Sequence, residues 1–257
     1  MRLATFNLLH GRSPADGVVD PDRLVAAVAS LDADVLALQE VDRGQDRSGR
    51  VDQTAVAAHA LGAVDARFVP ALVGTPGERW RAAEVGDADA EPTYGVGLAS
   101  RLPVARWRRI PLGTSPARLP LLIDARRPAL VRDEPRVAVA AELAGDGPVG
   151  TVVATHLSFA PGVNVVQLLR LVRALRDARP PVVLLGDLNL PGPVPRAVLA
   201  DWRSLVREPT FPTEDPRIQL DHVLVRPATA LDVVTAVAVP TTVSDHRALV
   251  VEVREPR

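Results

Sequence analysis

Carboxylates, amides and imidazoles recur in this chain directly beside short apolar runs. Asn7 ends the run over residues 2–8, Glu40 follows 34–39, and His156 ends Ala154-Thr155-His156-Leu157. Asp187 and Asn189 follow Leu184-Leu185-Gly186, Asp221 heads residues 220–225, and Asp245 and His246 precede 248–253. Any one of these alone is ordinarily a turn, cap or structural residue. Their recurrence at strand ends points to chemistry, because function in layered α/β proteins gathers where strands meet loops. If the ends converge, Glu40, Asp187, Asp221 and Asp245 share one pocket with two amides and two imidazoles. Two bare carboxylates about 4 Å apart repel by about 4 kcal/mol at an effective dielectric of about 20. Such a group takes up protons or binds a cation. Oxygen ligands without thiolate favour Mg²⁺, Mn²⁺ or Ca²⁺ over zinc. That chemistry suits phosphoester hydrolysis, in which the cation neutralises the phosphate and a His or Asp activates water.

The elements that must position these residues follow from periodicity. Residues 2–8 alternate, with Thr5 and Asn7 on one face and Ala4, Phe6 and Leu8 on the other. Asp20-Pro21 starts a helix whose apolar face is Leu24, Val28 and Leu31, and residues 51–61 form a second helix closed by Gly62. Strands are expected over 34–39, 67–73, 94–100, 104–110, 136–143, 149–156, 181–186, 220–225, 231–239 and 248–253. Residues 94–100 and 104–110 are expected to pair through Arg101-Leu102-Pro103, and 136–143 to form a hairpin with 149–156. Residues 74–92 read as a surface loop and 113–133 as a second irregular stretch. Asn164 and Gln167 resemble a capping box ahead of Val165, Leu168, Val172 and Leu175. Many strands are joined by turns, so the sheets are largely mixed or antiparallel. Runs such as Val182 to Leu185 are apolar on both faces, so they are covered on both sides. An α/β sandwich of two mixed sheets flanked by helices satisfies both, as one domain over 1–257 with no linker.

Composition narrows the function classes. The chain has 257 residues, 47% hydrophobic and 24% charged, as expected of a folded globular protein. All 30 basic residues are Arg, yet the net charge is −1, without the positive field of a non-specific DNA binder. There is no Cys, which excludes disulfides, thiolate zinc sites and a Cys nucleophile, and fits a reducing, cytoplasmic location. No apolar run approaches the roughly 20 residues that span a bilayer. The first residues turn polar too soon for a signal peptide. A monomer without stable membrane insertion is expected.

Six segments, in order, resemble one family. Thr5-Phe6-Asn7, Leu38-Gln39-Glu40-Val41-Asp42, Thr155-His156-Leu157, Gly186-Asp187-Leu188-Asn189, Leu220-Asp221-His222 and Ser244-Asp245-His246 are similar to the endonuclease/exonuclease/phosphatase family of deoxyribonuclease I-like metal-dependent hydrolases. The resemblance runs from Thr5 to Val253. It implies a four-layer α/β/β/α sandwich and a Mg²⁺-dependent phosphoesterase, with Mn²⁺ as a substitute. Glu40 would bind the metal with Asn7 and Asp245 nearby. His246 would be the base or water-orienting group, with Asp221 holding its ring. Asp187 and Asn189 would position nucleophile and phosphate, Asn7 would also face the substrate, and His156 would stabilise charge on the phosphoryl oxygens. Either Asp187 or His246 could be the base. Glu134-Pro135-Arg136 resembles a segment whose Arg faces the phosphate, while Val96 replaces an Asn common in the family.

Other polar residues read more plainly. His222 alternates with Asp221 and should point away from the site, His59 is structural, His10 could line the pocket, and Asp42 and Arg43 could form a local ion pair. The tryptophans, Trp80, Trp107 and Trp202, are too scattered for a base-stacking platform. Near-neutral charge and few aromatics weaken nucleic acid as substrate, and the lack of a basic amphipathic helix weakens lipid. A small soluble phosphoester is the leading substrate. A nuclease acting on DNA or RNA and a non-catalytic binding scaffold of the same fold are the alternatives.

Overall fold

The computed structural model describes residues 1–87, 90–115, 118–124 and 127–256. The first half of the chain carries β1 (Arg2–Asn7), α1 (Pro21–Leu31), β2 (Val35–Arg43), α2 (Gln53–Leu61), β3 (Asp65–Gly74), β4 (Trp80–Ala82), β5 (Thr93–Ser100) and β6 (Val104–Gly113). A β-hairpin follows, β7 (Arg118–Asp124) and β8 (Arg127–Arg132). Then come β9 (Arg136–Leu143), β10 (Thr151–His156), α3 (Val163–Ala174), β11 (Val182–Asp187), α4 (Val194–Val198), β12 (Arg203–Ser204), β13 (Asp221–Arg226), β14 (Asp232–Val239) and β15 (Ala248–Arg254). One sheet has the order β14-β15-β1-β2-β5-β3-β4 and the other β12-β13-β11-β10-β9-β6. Both are mixed: β1–β2 and β10–β11 are parallel pairs, and the remaining neighbours are antiparallel.

Period-two alternation divides the apolar residues among three layers. Leu3, Val35, Ala37, Val183, Leu185 and Val223 fill the space between the sheets. Phe6, Leu36 and Leu38 point outward and pack with Leu24, Val28, Leu31 and Leu61 of α1 and α2. Val182, Leu184 and Leu224 point outward on the other sheet against Leu168 and Leu171 of α3. The result is the α/β/β/α sandwich. Helix α1 starts where Asp20 accepts a bond from the Asp22 amide at 2.9 Å with Pro21 behind it, and Gly62 caps α2 in the left-handed conformation.

Strand direction gathers the strand ends at one edge of the sandwich. The parallel strands β1, β2, β10 and β11 all end there, and the antiparallel strands β13 and β15 begin there. Residue pairing places His156 beside Asp187 and Asp187 beside Asp221.

Five expectations are corrected. Residues 94–100 and 104–110 are strands but do not pair: β5 lies in the first sheet and β6 in the second, so Arg101-Leu102-Pro103 is the crossover between sheets. The stretch 74–92 includes β4, paired with β3, and 113–133 includes the β7–β8 hairpin. Asn164 and Gln167 do not form a capping box. The Gln167 carbonyl accepts from the Ser158 amide at 2.8 Å, and Asn164 donates to the Asn189 carbonyl at 2.8 Å, so both hold the loop between β10 and α3 against the site. Asp42 pairs with Arg47, at 2.8 and 2.7 Å, and not with Arg43.

Leu184 is fully buried between β11 and α3. Leu184→Ala should cost about 2–5 kcal/mol, a transfer loss plus a cavity that strands on both sides cannot collapse. Urea unfolding checks this, and a loss under about 1 kcal/mol would mean that this layer is not closely packed.

Candidate active site

Asp187 stands at the centre of the gathered strand ends. Its Oδ1 accepts the Asn189 backbone amide at 2.9 Å. Its Oδ2 accepts the Asn7 side-chain amide at 3.1 Å and lies 3.5 Å from His156 Nε2 and 4.0 Å from His246 Nε2. Gly186 precedes it because a Cβ there would sit 2.0 Å from the Thr155 carbonyl oxygen. Asn7 also donates to Glu40 Oε1 at 3.1 Å, while its own carbonyl accepts the Leu9 amide at 3.0 Å. One amide therefore joins the two sheets, from β1 and β2 to β11.

Glu40 reaches this point through a β-bulge. Gln39 and Glu40 together oppose Val96 alone, since Leu38 pairs with Gly97 and Val41 with Gly95. Strict alternation from Leu36 and Leu38 would turn Glu40 outward, toward α1 and α2. The bulge, with Glu40 in the left-handed region at φ 55°, re-aims its carboxylate at Asn7. A non-glycine residue there costs roughly 1 kcal/mol or more.

His246 Nδ1 lies 2.8 Å from Asp221 Oδ2. A carboxylate only accepts, so Nδ1 carries the proton and Nε2 faces Asp187. Asp221 is itself held by Thr210, whose hydroxyl accepts the Leu220 and Asp221 amides at 3.2 and 3.3 Å. Phe211 packs tilted against the His246 ring at 5.0 Å. On the far side, Asn189 donates from one amide nitrogen to the Leu157 carbonyl at 3.0 Å and reaches His156 Nε2 at 3.2 Å. The carbonyl contact identifies that atom as the donor, so His156 Nε2 accepts and its proton is on Nδ1.

Charge in this region is high and dry. Burial pushes the Glu40 carboxyl up, and neighbouring Asp245 pushes it further. Burial and the Asp221 charge push Asp187 up, opposed by His246. Burial disfavours the His246 imidazolium, but Asp221, through its charge and hydrogen bond, and then Asp187 and Asp245 outweigh it and raise the ring. Burial holds His156 well below the ordinary imidazole value, with Arg136 and His246 adding to the effect.

The cleft has a volume of about 520 Å³ and is bordered by Glu40, His156, Asp187, Asn189, Arg136 and His246. The candidate residues Asn7, Glu40, His156, Asp187, Asn189, Asp221 and His246 thus form one connected group. Arg136 lines the wall, and Asp245 lies close enough to Glu40 to perturb it. His10 also lines the cleft, its ring pushed down to about 4 by burial and then by Arg47. Val96 is buried between the sheets, opposite the Gln39–Glu40 bulge.

Glu134, from the segment that carries Arg136, borders the cleft, and Arg47, Tyr94, Phe159 and Phe211, which were not anticipated, border it as well. Nothing in their local spacing marks them. Arg47 comes closest, as an Arg five residues after Asp42 in a turn.

A hard divalent cation fits this donor set. Glu40 is raised by burial and then by Asp245, it accepts from the neutral amide of Asn7, and no thiolate exists to draw a softer metal. Asp221 Oδ1 is a buried acceptor without a partner among the described residues. Asp187, Asp221 and His246 also bring ligand atoms within 4.8 Å of one another. In that trio Asp221 and His246 already bond each other.

Comparison with known proteins identifies the family. The family model for the endonuclease/exonuclease/phosphatase family matches residues 4–246, and the chain belongs to that family of phosphoester hydrolases. A crystal structure of an endonuclease/exonuclease/phosphatase from Beutenbergia cavernae DSM 12333 is 26% identical at a TM-score of 0.70, covering 99% of this chain and 71% of that one. A mannosyl-6-phosphatase from Bacteroides thetaiotaomicron VPI-5482 is 14% identical at a TM-score of 0.65, covering 98% and 99%. D. rerio TDP2 complexed with a single-strand DNA product is 14% identical at a TM-score of 0.60, covering 99% and 98%. No curated protein matches the chain. No helix among the described residues is long and apolar enough to cross a membrane.

His222 faces away from this group, its Nε2 2.8 Å from the Leu190 carbonyl, and burial lowers its pKa from 6.5. Its folded-state pKa lies below the unfolded one. The neutral ring's contribution is therefore complete above about pH 6.5 and is lost as the pH falls. His222→Gln should flatten the decline in urea stability between pH 7 and 5 by up to about 1.4 kcal/mol per pH unit. Parallel curves for the two proteins would show that His222 takes up no proton on unfolding.

Proposed function

We propose that this chain, as one catalytic unit, is a Mg²⁺-dependent phosphoesterase that hydrolyses a small soluble phosphoester. One arrangement carries the reading: the Asp221–His246 hydrogen bond at 2.8 Å faces Asp187, and Asn7 links Asp187 to Glu40. Glu40, with Asn7 and Asp245, would hold the cation, and Mn²⁺ shares the same oxygen preference. When bound, the cation neutralises the phosphoryl oxygens and polarises the ester.

The chain's own residues do the rest. Asp221 fixes the ring of His246 so that Nε2 meets the attacking water on the Asp187 side. His246 and Asp187 share the proton load of one site, so the water proton passes to this pair and not to either residue alone. The water oxygen bonds to phosphorus, the bond to the leaving alcohol breaks, the alkoxide takes a proton from solvent, and the His246–Asp187 pair returns its proton to solvent. Arg136 holds phosphoryl oxygens, while Asn189, its amide hydrogens engaged by Leu157 and His156 and its backbone N–H by Asp187, braces the Asp187 side of the site. The cleft of about 520 Å³ and the net charge of −1 support a small substrate over a long polyanion. A phosphosugar is within that class.

Activity should vanish in EDTA and return with Mg²⁺ or Mn²⁺. A panel of mono- and diesters, plasmid DNA, RNA and phosphoinositides tests the substrate class. Faster turnover of nucleic acid than of every small ester would move the substrate to DNA or RNA. Full activity in chelator would end the metal reading.

His246→Ala should lower kcat by about 10²–10⁴-fold, the usual worth of a positioned acid–base group. Asp221→Asn should cost less, because the ring remains. The double mutant should fall short of the product of the two losses. Near-native kcat in His246→Ala would pass the base role to Asp187 alone.

Glu40→Gln should lose the thermal stabilisation that Mg²⁺ confers on the native protein. At about 100 times its Kd a cation adds roughly 2.7 kcal/mol, so the difference is measurable by thermal unfolding. An unchanged Mg²⁺ response would remove Glu40 from the ligand set.

A further inference from the structure

A second concavity, of about 600 Å³, lies between the later part of α3 and the connection from α4 to β12. It is separate from the catalytic cleft, sharing none of its lining residues. The N-terminal end of α3 touches the site through Asn164 and Asn189, whereas the groove begins at Leu169 and continues past the helix end.

The groove is built around arginine. Arg170 and Arg173 on α3, Arg176 just past it and Arg226 at the end of β13 line it, against the single acidic residue Asp201. Arginines along an exposed helix are ordinarily a solvated stripe. Two observations set this group apart. First, it surrounds a pocket of ligand size, within the 300–1,000 Å³ usual for small-molecule sites. Second, two of the four are fixed by backbone. Arg170 donates to the Leu112 carbonyl at 2.6 Å, and Arg226 donates to the carbonyls of Leu175 and Arg176 at 2.8 and 3.2 Å. Arg226 also lies over the Trp202 ring at 5.7 Å.

These anchors have an electrostatic consequence. Arg226, held on the Leu175 and Arg176 carbonyls, keeps its charge beside the end of α3. Arg173 and Arg176 are exposed, with no side-chain ion pair or hydrogen bond among the described residues. Four like charges are thus concentrated in a chain whose net charge is −1. Guanidinium groups pair bidentately with phosphate oxygens, so the matching ligand carries several phosphate charges.

We infer that this groove binds a soluble compound bearing two or more phosphate groups. Trp202 is buried to 7% exposure and covered by Arg226, so it offers no open face for a nucleobase to stack on. Charge recognition by arginine is the chemistry left, as in an oligophosphate chain. The arginines line a concavity and not a protruding face, which favours a small ligand over a membrane surface.

Inorganic tripolyphosphate is the probe. Calorimetry on the whole chain in EDTA should show binding, and the Trp202 indole resonance, assigned by Trp202→Phe, should shift during titration. Arg173→Glu should weaken binding at least tenfold and Arg173→Glu/Arg176→Glu should abolish it, with thermal unfolding showing both folded. Arg173→Lys should bind more weakly than the native chain but more tightly than Arg173→Glu, because it keeps the charge and loses the bidentate fork. Equal affinity in the double variant, or a Trp202 resonance that stays still, would overturn the site, since the probe would then be bound elsewhere. Binding to anionic vesicles or to an oligonucleotide without binding to tripolyphosphate would overturn it too. Loss of hydrolytic activity in the native chain would leave this result untouched, because the groove is tested without catalysis.

Discussion

Asp187 and Asp221 face each other across a strand pair in the interior, and the site depends on how their charge is held. Neither can stay ionised in a dry sandwich without compensation. The compensation comes from both sheets. His246 arrives from the segment before β15, and Asn7 from the end of β1. Each of these residues is buried and committed to a partner, so the carboxylates tie the sheets together where the apolar layer between them ends. Removing a partner would leave an uncompensated charge, which accounts for the density of hydrogen bonds at this edge.

The same pressure explains the supports further out. Thr210 accepts the amides of Leu220 and Asp221, the Thr213 amide donates to the Asp245 carbonyl at 2.7 Å, and the Arg247 amide donates to the Thr210 carbonyl at 2.8 Å. The loop before β13 and the turn before β15 are thereby locked to each other, and the Asp221–His246 distance follows from that lock. Strain is accepted where it aims a polar group. Glu40, Asn189 and Ser244 all have positive φ, and each lies in or beside the site. The Ser244 hydroxyl accepts the His246 amide at 3.0 Å, fixing the entry to the dyad.

Much of this was legible in the chain. Alternation in residues 2–8 sends Asn7 inward with Thr5, and the structure bonds Thr5 to Gln39 on that face at 3.1 Å. The same rule separates Asp221 from His222, and the two side chains contact opposite surroundings, His246 and the Leu190 carbonyl. The start of α1 was written in Asp20-Pro21, and the end of α2 in Gly62. These are local rules of backbone sterics and hydrogen bonding, so a linear reading contains them.

What lay beyond the sequence is non-local. Arg101-Leu102-Pro103 is compatible with a hairpin or with a crossover, and only the pairing partners of β5 and β6 decide between sheets. Asn164 and Gln167 had the spacing of a cap, yet tertiary acceptors and donors captured their side chains. The bulge that turns Glu40 inward depends on Val96 across the strand and Asn7 beside it, and period-two counting alone would have sent the carboxylate outward. Arg47 entered the cleft because Asp42 holds it there, a contact that residue spacing did not distinguish from a pair with Arg43. Residue types and strand periodicity determined which groups were available for chemistry. Strand pairing across two sheets determined which of them meet, because distances between residues far apart in the chain are set by packing and not by local backbone preference.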